Sequence, residues 1–328
     1  MLGYDVTATT KIKSDTAGLR GELRVTLDLV HTGSTDLAVR YELAGADDAP
    51  PIIVAGGISA GRHTVANTSD PSVGWWQAQC DTFARFRLLS IDWIGAGGEL
   101  DAPIEATDQA GAIFAVLDHL GIDRAVAFVG ASYGAMVGMH CAAAAPDRIP
   151  ALLAISGAHR SHSFTSAQRA LQRQAVELGE RLGSPKQGVA LARKLAMLTY
   201  RTPDEFAGRF AELSVVESGR ARASSEAYLD HVGERHSTRM SAVAYRRLSE
   251  SIDLHRLDPA TVTVPATFVA VHGDQLVPVA DIEELAGAAA RGHFISIPSV
   301  YGHDAFLKEE SAIAAIIDTF LKSLELNQ

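Results

Sequence analysis

Residues 130–134 read Gly-Ala-Ser-Tyr-Gly, a G-x-S-x-G pattern between an apolar run at 125–129 and an alanine-rich stretch that starts near Ala135. With a strand before it and a helix after it, this pattern is typical of a tight elbow that exposes the serine hydroxyl. Such an elbow needs residues without a Cβ where the backbone passes close to its neighbours, which explains both glycines. The pattern predicts that Ser132 is a nucleophile rather than an ordinary turn serine.

The rest of the chain predicts a sheet around this elbow. Short apolar runs bounded by turn residues indicate strands, and helical stretches separate several of them. The predicted strands lie at 23–29, 37–43, 52–55, 87–91, 125–129, 151–155, 266–271 and 293–297, and the predicted helices include 108–120, 133–145 and 309–324. This alternation predicts an α/β fold whose mostly parallel sheet has helices on both faces.

The strand pattern stops between about His159 and His255. This stretch shows only helical patterning, with breaks at 183–185, 202–203 and 218–219. We therefore expect residues 1–157 and 256–328 to form one α/β core, and residues 158–255 to form a helical lid inserted into it.

A serine hydroxyl is a poor nucleophile at neutral pH, so Ser132 needs a base that is itself oriented by an acid. In folds with this elbow, the chain order is nucleophile, acid, histidine. Asp274 follows the strand at 266–271 on a glycine turn, and His303 follows the strand at 293–297 just before the last helix. A turn aspartate and a structural histidine are the alternatives, but order and context single out these two. Ser132, Asp274 and His303 are the predicted catalytic triad.

Acyl transfer also needs two hydrogen-bond donors for the oxyanion that develops in the transition state. The first predicted donor is the backbone N–H of Tyr133, the residue after the nucleophile. The second is expected from the glycine-rich loop 56–63 after the strand at 52–55, at Gly57 or Ile58. The alternative for this loop is an ordinary glycine-rich turn.

Composition excludes several classes of function. The net charge of -10 argues against a general nucleic-acid or acidic-membrane binder. Cys80 and Cys141 make neither a disulfide framework nor a zinc spacing, and the pair His159 and His162 lacks further ligands nearby. No glycine pattern for a dinucleotide or a P-loop phosphate site is present. We expect no bound metal and no bound cofactor.

The sequence also indicates a location. Residues 1–24 mix charged and polar residues and lack the apolar segment of a signal peptide. No run approaches the ~18 continuous apolar residues of a membrane span. A cytoplasmic protein that does not bind membranes is the expectation.

Further motifs spread over most of the chain carry a family resemblance. They are Gly74-Trp75-Trp76, Ser156-Gly157-Ala158, SAQRALQRQA at 166–175, ARKLAMLTYR at 192–201, EFAGRF at 205–210 and YGHDAFL at 301–307. With these motifs the chain resembles the homoserine O-acyltransferase family of the α/β-hydrolase fold, the enzymes of methionine biosynthesis. The resemblance implies an α/β-hydrolase fold, an acyl-CoA cosubstrate, L-homoserine as acceptor, a ping-pong mechanism through an acyl-serine, and a homodimer.

The resemblance also implies roles for substrate-binding residues. In the family, an arginine and a tyrosine of the lid face the amino-acid acceptor, and they match Arg193 and Tyr200 here. These residues are seven apart, so on a helix they lie on one face. The planar guanidinium of an arginine suits a carboxylate. The aspartate after the catalytic histidine matches Asp304, an acidic partner for the acceptor's ammonium group.

The acyl group and the acceptor stay open at this stage. A succinyl group needs a cation near the oxyanion loop, and Arg62 and Arg160 are the candidates, so succinyl is favoured over acetyl. The acceptor is homoserine or serine, because one methylene changes binding by only ~1–3 kcal/mol. An esterase or thioesterase with the same triad is the alternative enzyme. A non-catalytic binding protein is disfavoured, because it would not need all three triad residues.

Overall fold

The computed structural model describes residues 16–325. The strands are β1 (Gly18–Leu29), β2 (Gly33–Ala44), β3 (Pro51–Ala55), β4 (Arg87–Ile91), β5 (Phe128–Ala131), β6 (Leu152–Ile155), β7 (Val215–Glu217), β8 (Arg220–Arg222), β9 (Ala266–His272) and β10 (Gly292–Pro298). The helices are α1 (Ala106–His119), α2 (Tyr133–Ala144), α3 (Ser163–Arg181), α4 (Pro185–Tyr200), α5 (Pro203–Arg209), α6 (Glu226–Ser237), α7 (Ala242–Leu254), α8 (Val279–Ala288), α9 (Ala305–Lys308) and α10 (Glu310–Glu325).

Eight strands form one sheet in the order β1-β2-β4-β3-β5-β6-β9-β10. The six strands from β4 to β10 in this order are parallel to one another. At the other edge, β2 runs antiparallel to both of its neighbours, β1 and β4. The carboxyl ends of the parallel strands meet at one edge of the sheet, where open α/β sheets bind their ligands.

The core consists of two apolar layers, one on each face of the sheet. Because successive side chains of a strand point to opposite faces, Ile53 belongs to one layer while Ile52 and Val54 belong to the other. Helices α1, α2 and α8 cover the first layer, and α10 covers the second through Ile313 and Ile317.

The predicted strands and helices are present, with small changes in their bounds. The first strand begins at Gly18 rather than at residue 23, and β5 covers Phe128–Ala131 rather than 125–129. The residues just before β5 still bond to the backbone of other segments: the N–H of Ala125 donates to the carbonyl of Arg148, and that of Val126 donates to the carbonyl of Pro51 in β3.

The expectation that residues 159–255 contain no strand is wrong at one place. Strands β7 and β8 form a short exposed hairpin whose turn is the predicted break at 218–219. Ser218 and Gly219 both have positive φ, 51° and 77°, as a tight two-residue hairpin turn requires. With three residues in each strand, the alternation of polar and apolar residues is too short to be recognised.

In chain order, helices α3 to α7 come after β6 and before β9, and these two strands pair with each other in the sheet. The chain leaves and returns through paired segments, where the N–H of Leu257 donates to the carbonyl of His159 and Arg160 bridges to Arg256. The helices therefore rise from the carboxyl edge of the sheet beside the elbow. Among residues 16–325, no helix has both the length and the apolarity to cross a membrane.

Candidate active site

The elbow at Ser132 is a strained backbone turn between β5 and α2. Ser132 has φ 56° and ψ −120°, a conformation that a residue with a side chain rarely adopts. A Cβ on Gly130 would lie 2.4 Å from the carbonyl oxygen of Gly134, and one on Gly134 would lie 2.2 Å from that of Ala55. The two glycines of the motif are thus required by close backbone contacts, and the serine stands at the tip of the turn.

The three predicted triad residues meet at the carboxyl edge of the sheet. Nε2 of His303 lies 2.7 Å from Oγ of Ser132, and its Nδ1 lies 2.8 Å from Oδ2 of Asp274. His303 and Asp274 are both buried. This geometry is that of a nucleophile hydrogen-bonded to a base that an acid orients.

Asp274 is fixed on both of its carboxylate oxygens. Its Oδ1 accepts hydrogen bonds from the backbone N–H groups of Leu276 (2.8 Å) and Val277 (3.1 Å), which leaves Oδ2 for His303. Burial lowers the pKa of His303, while the charge and hydrogen bond of Asp274 and the charge of Asp304 raise it, and the net shift of this pKa is upward. A base with a raised pKa takes a proton from a hydroxyl more readily.

The predicted oxyanion donors lie beside the nucleophile. Tyr133 is the first residue of α2, where a backbone N–H has no acceptor within the helix. A Cβ added to Gly57 would lie 3.8 Å from Oγ of Ser132, and Gly57 and Ile58 line the same cavity as the serine. The structure therefore brings Tyr133, Gly57 and Ile58 to Ser132, and their role as donors stays a prediction.

A cavity of about 210 Å³ opens above the triad. Ser132, His303 and the loop at Gly57 form the floor of the cavity. Helices α3, α4 and α7, which lie between β6 and β9 in the chain, contribute to its walls. Both apolar and polar side chains line it. The cavity is suited to a small polar substrate that reaches Ser132 under a helical cover.

Arg193 and Tyr200 both line this cavity and contact each other. The guanidinium of Arg193 lies 5.0 Å from the ring centroid of Tyr200, and the Tyr200 ring stacks on His303 at 5.8 Å. Within the part of the chain that the structure describes, no carboxylate lies within ion-pair distance of Arg193. A cation at the wall of a substrate cavity without an acidic partner is suited to bind a carboxylate from a ligand.

Asp304 also lines the cavity, next to His303. One of its oxygens lies 2.9 Å from Nε of Arg201, which also pairs with Glu205 at 3.1 Å. The Asp304 carboxylate is one cause of the raised pKa of His303. Asp304 thus gives the cavity a negative group within reach of the triad, and its contact with a substrate ammonium stays a prediction.

The structure does not bring Arg62 into the cavity. Its backbone N–H donates to Asp92 (2.8 Å), and its guanidinium lies 3.9 Å from the same carboxylate, away from the cavity wall. Arg62 is not among the residues that line the cavity, and its contact with an acyl carboxylate stays a prediction. The other candidate, Arg160, does line the cavity and forms two hydrogen bonds with Glu284, at 2.9 and 2.7 Å.

Sequence reasoning did not assign a role to Arg169, although it lies within the motif at 166–175. Arg169 lines the cavity, is buried, and donates to Asp253 (2.7 Å) and to Ser161. The signal was present in the helical period: the buried face of α3 consists of Thr165, Arg169, Gln172, Val176 and Gly179. Polar residues on the buried stripe of an amphipathic helix indicate a site rather than a core.

In residues 16–325 no group of three or more metal-ligating side chains comes together. Cys80 and Cys141 are both free thiols.

Comparisons with known proteins agree with this geometry. Residues 50–310 match the α/β hydrolase fold family. A homoserine O-succinyltransferase from Xanthomonas campestris pv. campestris is 50% identical over 312 residues, covering 93% of this chain and 84% of that protein. A solved homoserine O-acetyltransferase from Bacillus anthracis has a TM-score of 0.83 at 15% identity, covering 94% of this chain and 98% of that one. Esterase E22 has a TM-score of 0.81 at 19% identity, covering 93% and 100%.

The sheet topology and the hydrogen-bonded serine, histidine and aspartate define an α/β-hydrolase-fold protein. The two solved structures share this fold although one is a transferase and the other an esterase, so the fold alone does not decide the reaction. The relative at 50% identity identifies the class of reaction as acyl transfer: the chain belongs to the homoserine O-acyltransferase family. The predictions of this fold and of an acyltransferase of this family are confirmed.

Proposed function

We propose that this enzyme transfers a succinyl group from succinyl-CoA to the hydroxyl of L-homoserine, as a step of methionine biosynthesis. One observation carries the proposal: the hydrogen-bonded triad opens into a covered cavity whose wall holds Arg193, a cation without an acidic partner among the described residues. A hydrolase needs only water as acceptor. A transferase to an amino acid needs a positive group there to hold the acceptor's carboxylate.

The proposed reaction begins with acylation of Ser132. Nε2 of His303 takes the proton from the serine hydroxyl, and Oγ attacks the carbonyl carbon of the thioester. The N–H groups of Tyr133 and of Gly57 or Ile58 stabilise the oxyanion of the tetrahedral intermediate. The carbon–sulfur bond then breaks, the CoA thiolate takes the proton from His303, and an acyl-serine remains.

The second half-reaction transfers the acyl group to the acceptor. His303 takes the proton from the acceptor hydroxyl, whose oxygen attacks the acyl carbon, and the same proton returns to Oγ of Ser132 as it leaves. We propose that Arg193 binds the α-carboxylate and that Asp304 contacts the ammonium group. Tyr200, stacked between Arg193 and His303, orients the acceptor between them.

Water at ~55 M competes with the acceptor for the acyl-serine, so the lid has a role in the reaction. Helices α3, α4 and α7 each contribute side chains to the wall of the cavity that holds Ser132. By excluding water and holding the hydroxyl beside the acyl carbon, they favour transfer over hydrolysis.

The choice of succinyl over acetyl is supported by the relative at 50% identity and by Arg160 in the cavity wall. The pairing of Arg160 with Glu284 involves half-exposed side chains. Exposed ion pairs contribute only ~0–1 kcal/mol, so the free carboxylate of a succinyl group is able to displace Glu284. No cofactor has a part in this scheme, since acyl-CoA enters as a substrate.

We further propose that the enzyme works in the cytoplasm as a homodimer. Two free thiols fit a reducing compartment. For the dimer, α3 leaves Phe164, Leu171 and Leu178 exposed, seven residues apart, and α4 leaves Leu191 and Leu198 exposed with the same spacing. Neighbouring helices with exposed leucine stripes are suited to pack against a second copy of the same helices.

CoA release tests the proposed function. Purified enzyme is given succinyl-CoA or acetyl-CoA, each with L-homoserine, with L-serine or with no acceptor. We expect succinyl-CoA with homoserine to give the highest rate, and Ser132→Ala to abolish it. Equal release with and without an acceptor would identify a hydrolase instead, and a higher rate with serine would identify a serine O-acyltransferase.

Two arginine variants test the acyl preference separately. Arg160→Met should lower the ratio of succinyl to acetyl turnover about tenfold, because a charged hydrogen bond contributes ~1.5–3 kcal/mol. Arg62→Met is the matched control, since Arg62 pairs with Asp92 outside the cavity. An unchanged ratio in Arg160→Met would overturn the role of Arg160 and leave the acceptor assignment untouched.

A further inference from the structure

Trp93 is a buried residue that contacts both sides of the predicted oxyanion hole. It follows β4, and its indole N–H donates to the carbonyl oxygen of Gly57 at 3.1 Å. Its ring packs edge-on against the ring of Tyr133, with the centroids 5.0 Å apart. One side chain thus connects the glycine loop after β3 with the first residue of α2. Trp93 has no part in the reaction steps described above, and it does not line the cavity.

The side chain of Tyr133 is held from the opposite direction by the lid. Its ring is fully buried, and its hydroxyl forms a 2.6 Å hydrogen bond with the hydroxyl of Ser251. Ser251 is itself fully buried on α7, 118 residues further along the chain. Burial raises the pKa of Tyr133, so the phenol stays neutral beside Ser251.

Trp93 is in turn fixed by helix α1. The side-chain amide of Gln109 bonds both backbone groups of Ile94: its oxygen accepts from the N–H at 2.8 Å, and its nitrogen donates to the carbonyl at 3.1 Å. Gln109 is completely buried. The loop that carries Trp93 is therefore held at the neighbouring residue and has little freedom to move.

We propose that Trp93 and Ser251 are positioning residues for the oxyanion hole, acting through Gly57 and Tyr133. The N–H groups predicted to bind the oxyanion belong to a loop and to a helix end, which come from separate parts of the chain. Trp93 sets the distance between them, and Ser251 fixes the rotation of Tyr133 from the lid side. This inference rests on the proposed function only in taking these N–H groups as the oxyanion donors.

These contacts should affect the rate because the stabilisation of an oxyanion depends steeply on the positions of its hydrogen-bond donors. Removing one donor of such a site typically lowers kcat by about 10²–10³. Loosening a donor that is still present should cost less, on the order of tenfold. The effect should appear in the tetrahedral state and not in the binding of substrate, because the ground-state carbonyl depends less on these donors.

Three variants that keep the buried shape test the proposal: Trp93→Phe, Tyr133→Phe and Ser251→Ala. Each should lower the rate of Ser132 acylation by succinyl-CoA about tenfold while leaving KM nearly unchanged. Each should also weaken binding of an alkylboronic acid, which forms a tetrahedral adduct with an active-site serine, by a similar factor. The double variant Tyr133→Phe/Ser251→Ala should acylate as fast as the slower of the two single variants, since both substitutions remove the same hydrogen bond.

Ser90→Ala is the matched control. Ser90 is a buried serine whose hydroxyl bonds Thr64 and Val54 at 2.7 Å, away from the cavity. It should lose thermal stability like Ser251→Ala but keep the wild-type acylation rate and boronate affinity. If the three variants match the wild type in both readouts, or if Ser90→Ala shows the same losses, the proposal is overturned.

The same experiment separates this inference from the proposed function. Wild-type enzyme that binds the boronic acid but does not use homoserine would overturn the proposed acceptor, and the boronate affinities of the variants would still decide the roles of Trp93 and Ser251. Wild-type enzyme that fails to bind the boronic acid would overturn the oxyanion hole and this inference with it.

Discussion

Asp274 shows, at the scale of a single residue, how hydrogen bonds fix the proton on His303. Backbone N–H groups occupy Oδ1, so the atom that faces Nδ1 of His303 is Oδ2. In Asp274→Asn the oxygen should stay with the backbone donors, and the amide NH₂ should then face the histidine. Nδ1 must accept that hydrogen bond, which moves the ring proton to Nε2, where it blocks proton transfer from Ser132.

We therefore expect Asp274→Asn to lower kcat by about 10⁴. Its melting temperature should change little, because the hydrogen bonds to the backbone remain. Steady-state kinetics and thermal melting measure the two quantities. Activity within tenfold of the wild type would show that Asp274 does not orient His303.

The pH dependence is a second prediction at this scale. His303 acts as a base only when it is neutral, and Asp274 and Asp304 together raise its pKa above the ordinary value of about 6.5 despite burial. The kcat/KM for the acyl donor should be constant at high pH and fall tenfold per unit once the pH drops below this raised pKa. A pH–rate profile should place the midpoint above 6.5, and a midpoint below it would show that the acidic neighbours of His303 do not outweigh its burial.

At the scale of elements, helix α4 carries Arg193 and Tyr200 to the cavity two turns apart. Arg193→Met should raise KM for homoserine about 10–100-fold, because it removes a charged hydrogen bond worth ~1.5–3 kcal/mol. Acylation of Ser132, which precedes acceptor binding in the proposed reaction, should keep its rate. Stopped-flow acylation and acceptor-dependent turnover measure the two half-reactions.

Lys194→Met is the control for Arg193→Met, on the same helix. Lys194 lies next to Arg193 but pairs with Asp230 rather than lining the cavity. Its KM for homoserine should match the wild type. An equal loss in both variants would indicate that the charge of α4, and not Arg193, holds the acceptor.

Helices α3 and α4 contact each other through their backbones at two glycines. A Cβ on Gly179 would lie 2.6 Å from Cα of Gly188, and one on Gly188 would lie 2.8 Å from the carbonyl oxygen of Ala175. Gly188→Ala should therefore force the helices apart at a cost of about 1–3 kcal/mol. It should also raise hydrolysis relative to transfer, because α3 and α4 form part of the cavity wall.

The free energy of unfolding and the ratio of hydrolysis to transfer measure the effect of Gly188→Ala. Gly111→Ala on α1 is the control, since a Cβ there meets no atom within 4 Å. That change should stabilise the protein by about 0.5–1 kcal/mol, because glycine is a poor helix former. A stable Gly188→Ala enzyme with wild-type ratios would mean that the glycine contact does not set the lid geometry.

A feature of the site can be predicted from the sequence when a short stretch of the chain determines it. Ser132, Asp274 and His303 each follow a strand at the same sheet edge, so chain order and strand ends suffice to select them. Arg62 and Arg160 were indistinguishable in sequence, because the direction of a loop side chain depends on its partners, here Asp92 and Glu284. Trp93, Tyr133 and Ser251 come from three separate segments of the chain, with Ser251 118 residues after Tyr133, so no local pattern predicts their contacts.

At the scale of the whole molecule, the prediction concerns the face formed by the exposed leucines of α3 and α4. Leu171 and Leu178 are 61% and 47% exposed, which is costly for apolar side chains unless a second copy covers them. Light scattering should therefore give twice the chain mass of 34.8 kDa for the wild type. The double variant Leu171→Glu/Leu178→Glu should give the single mass, because the two carboxylates of each chain would be buried without partners in the dimer.

Leu213→Glu is the matched control for the dimer, since Leu213 is 88% exposed but lies outside both helices. It should remain dimeric. Because the triad and cavity lie within one chain, the monomeric variant should still be acylated at Ser132, which separates assembly from chemistry. A wild type of single mass at micromolar concentration, or a double variant that still dimerises, would show that α3 and α4 do not form the interface.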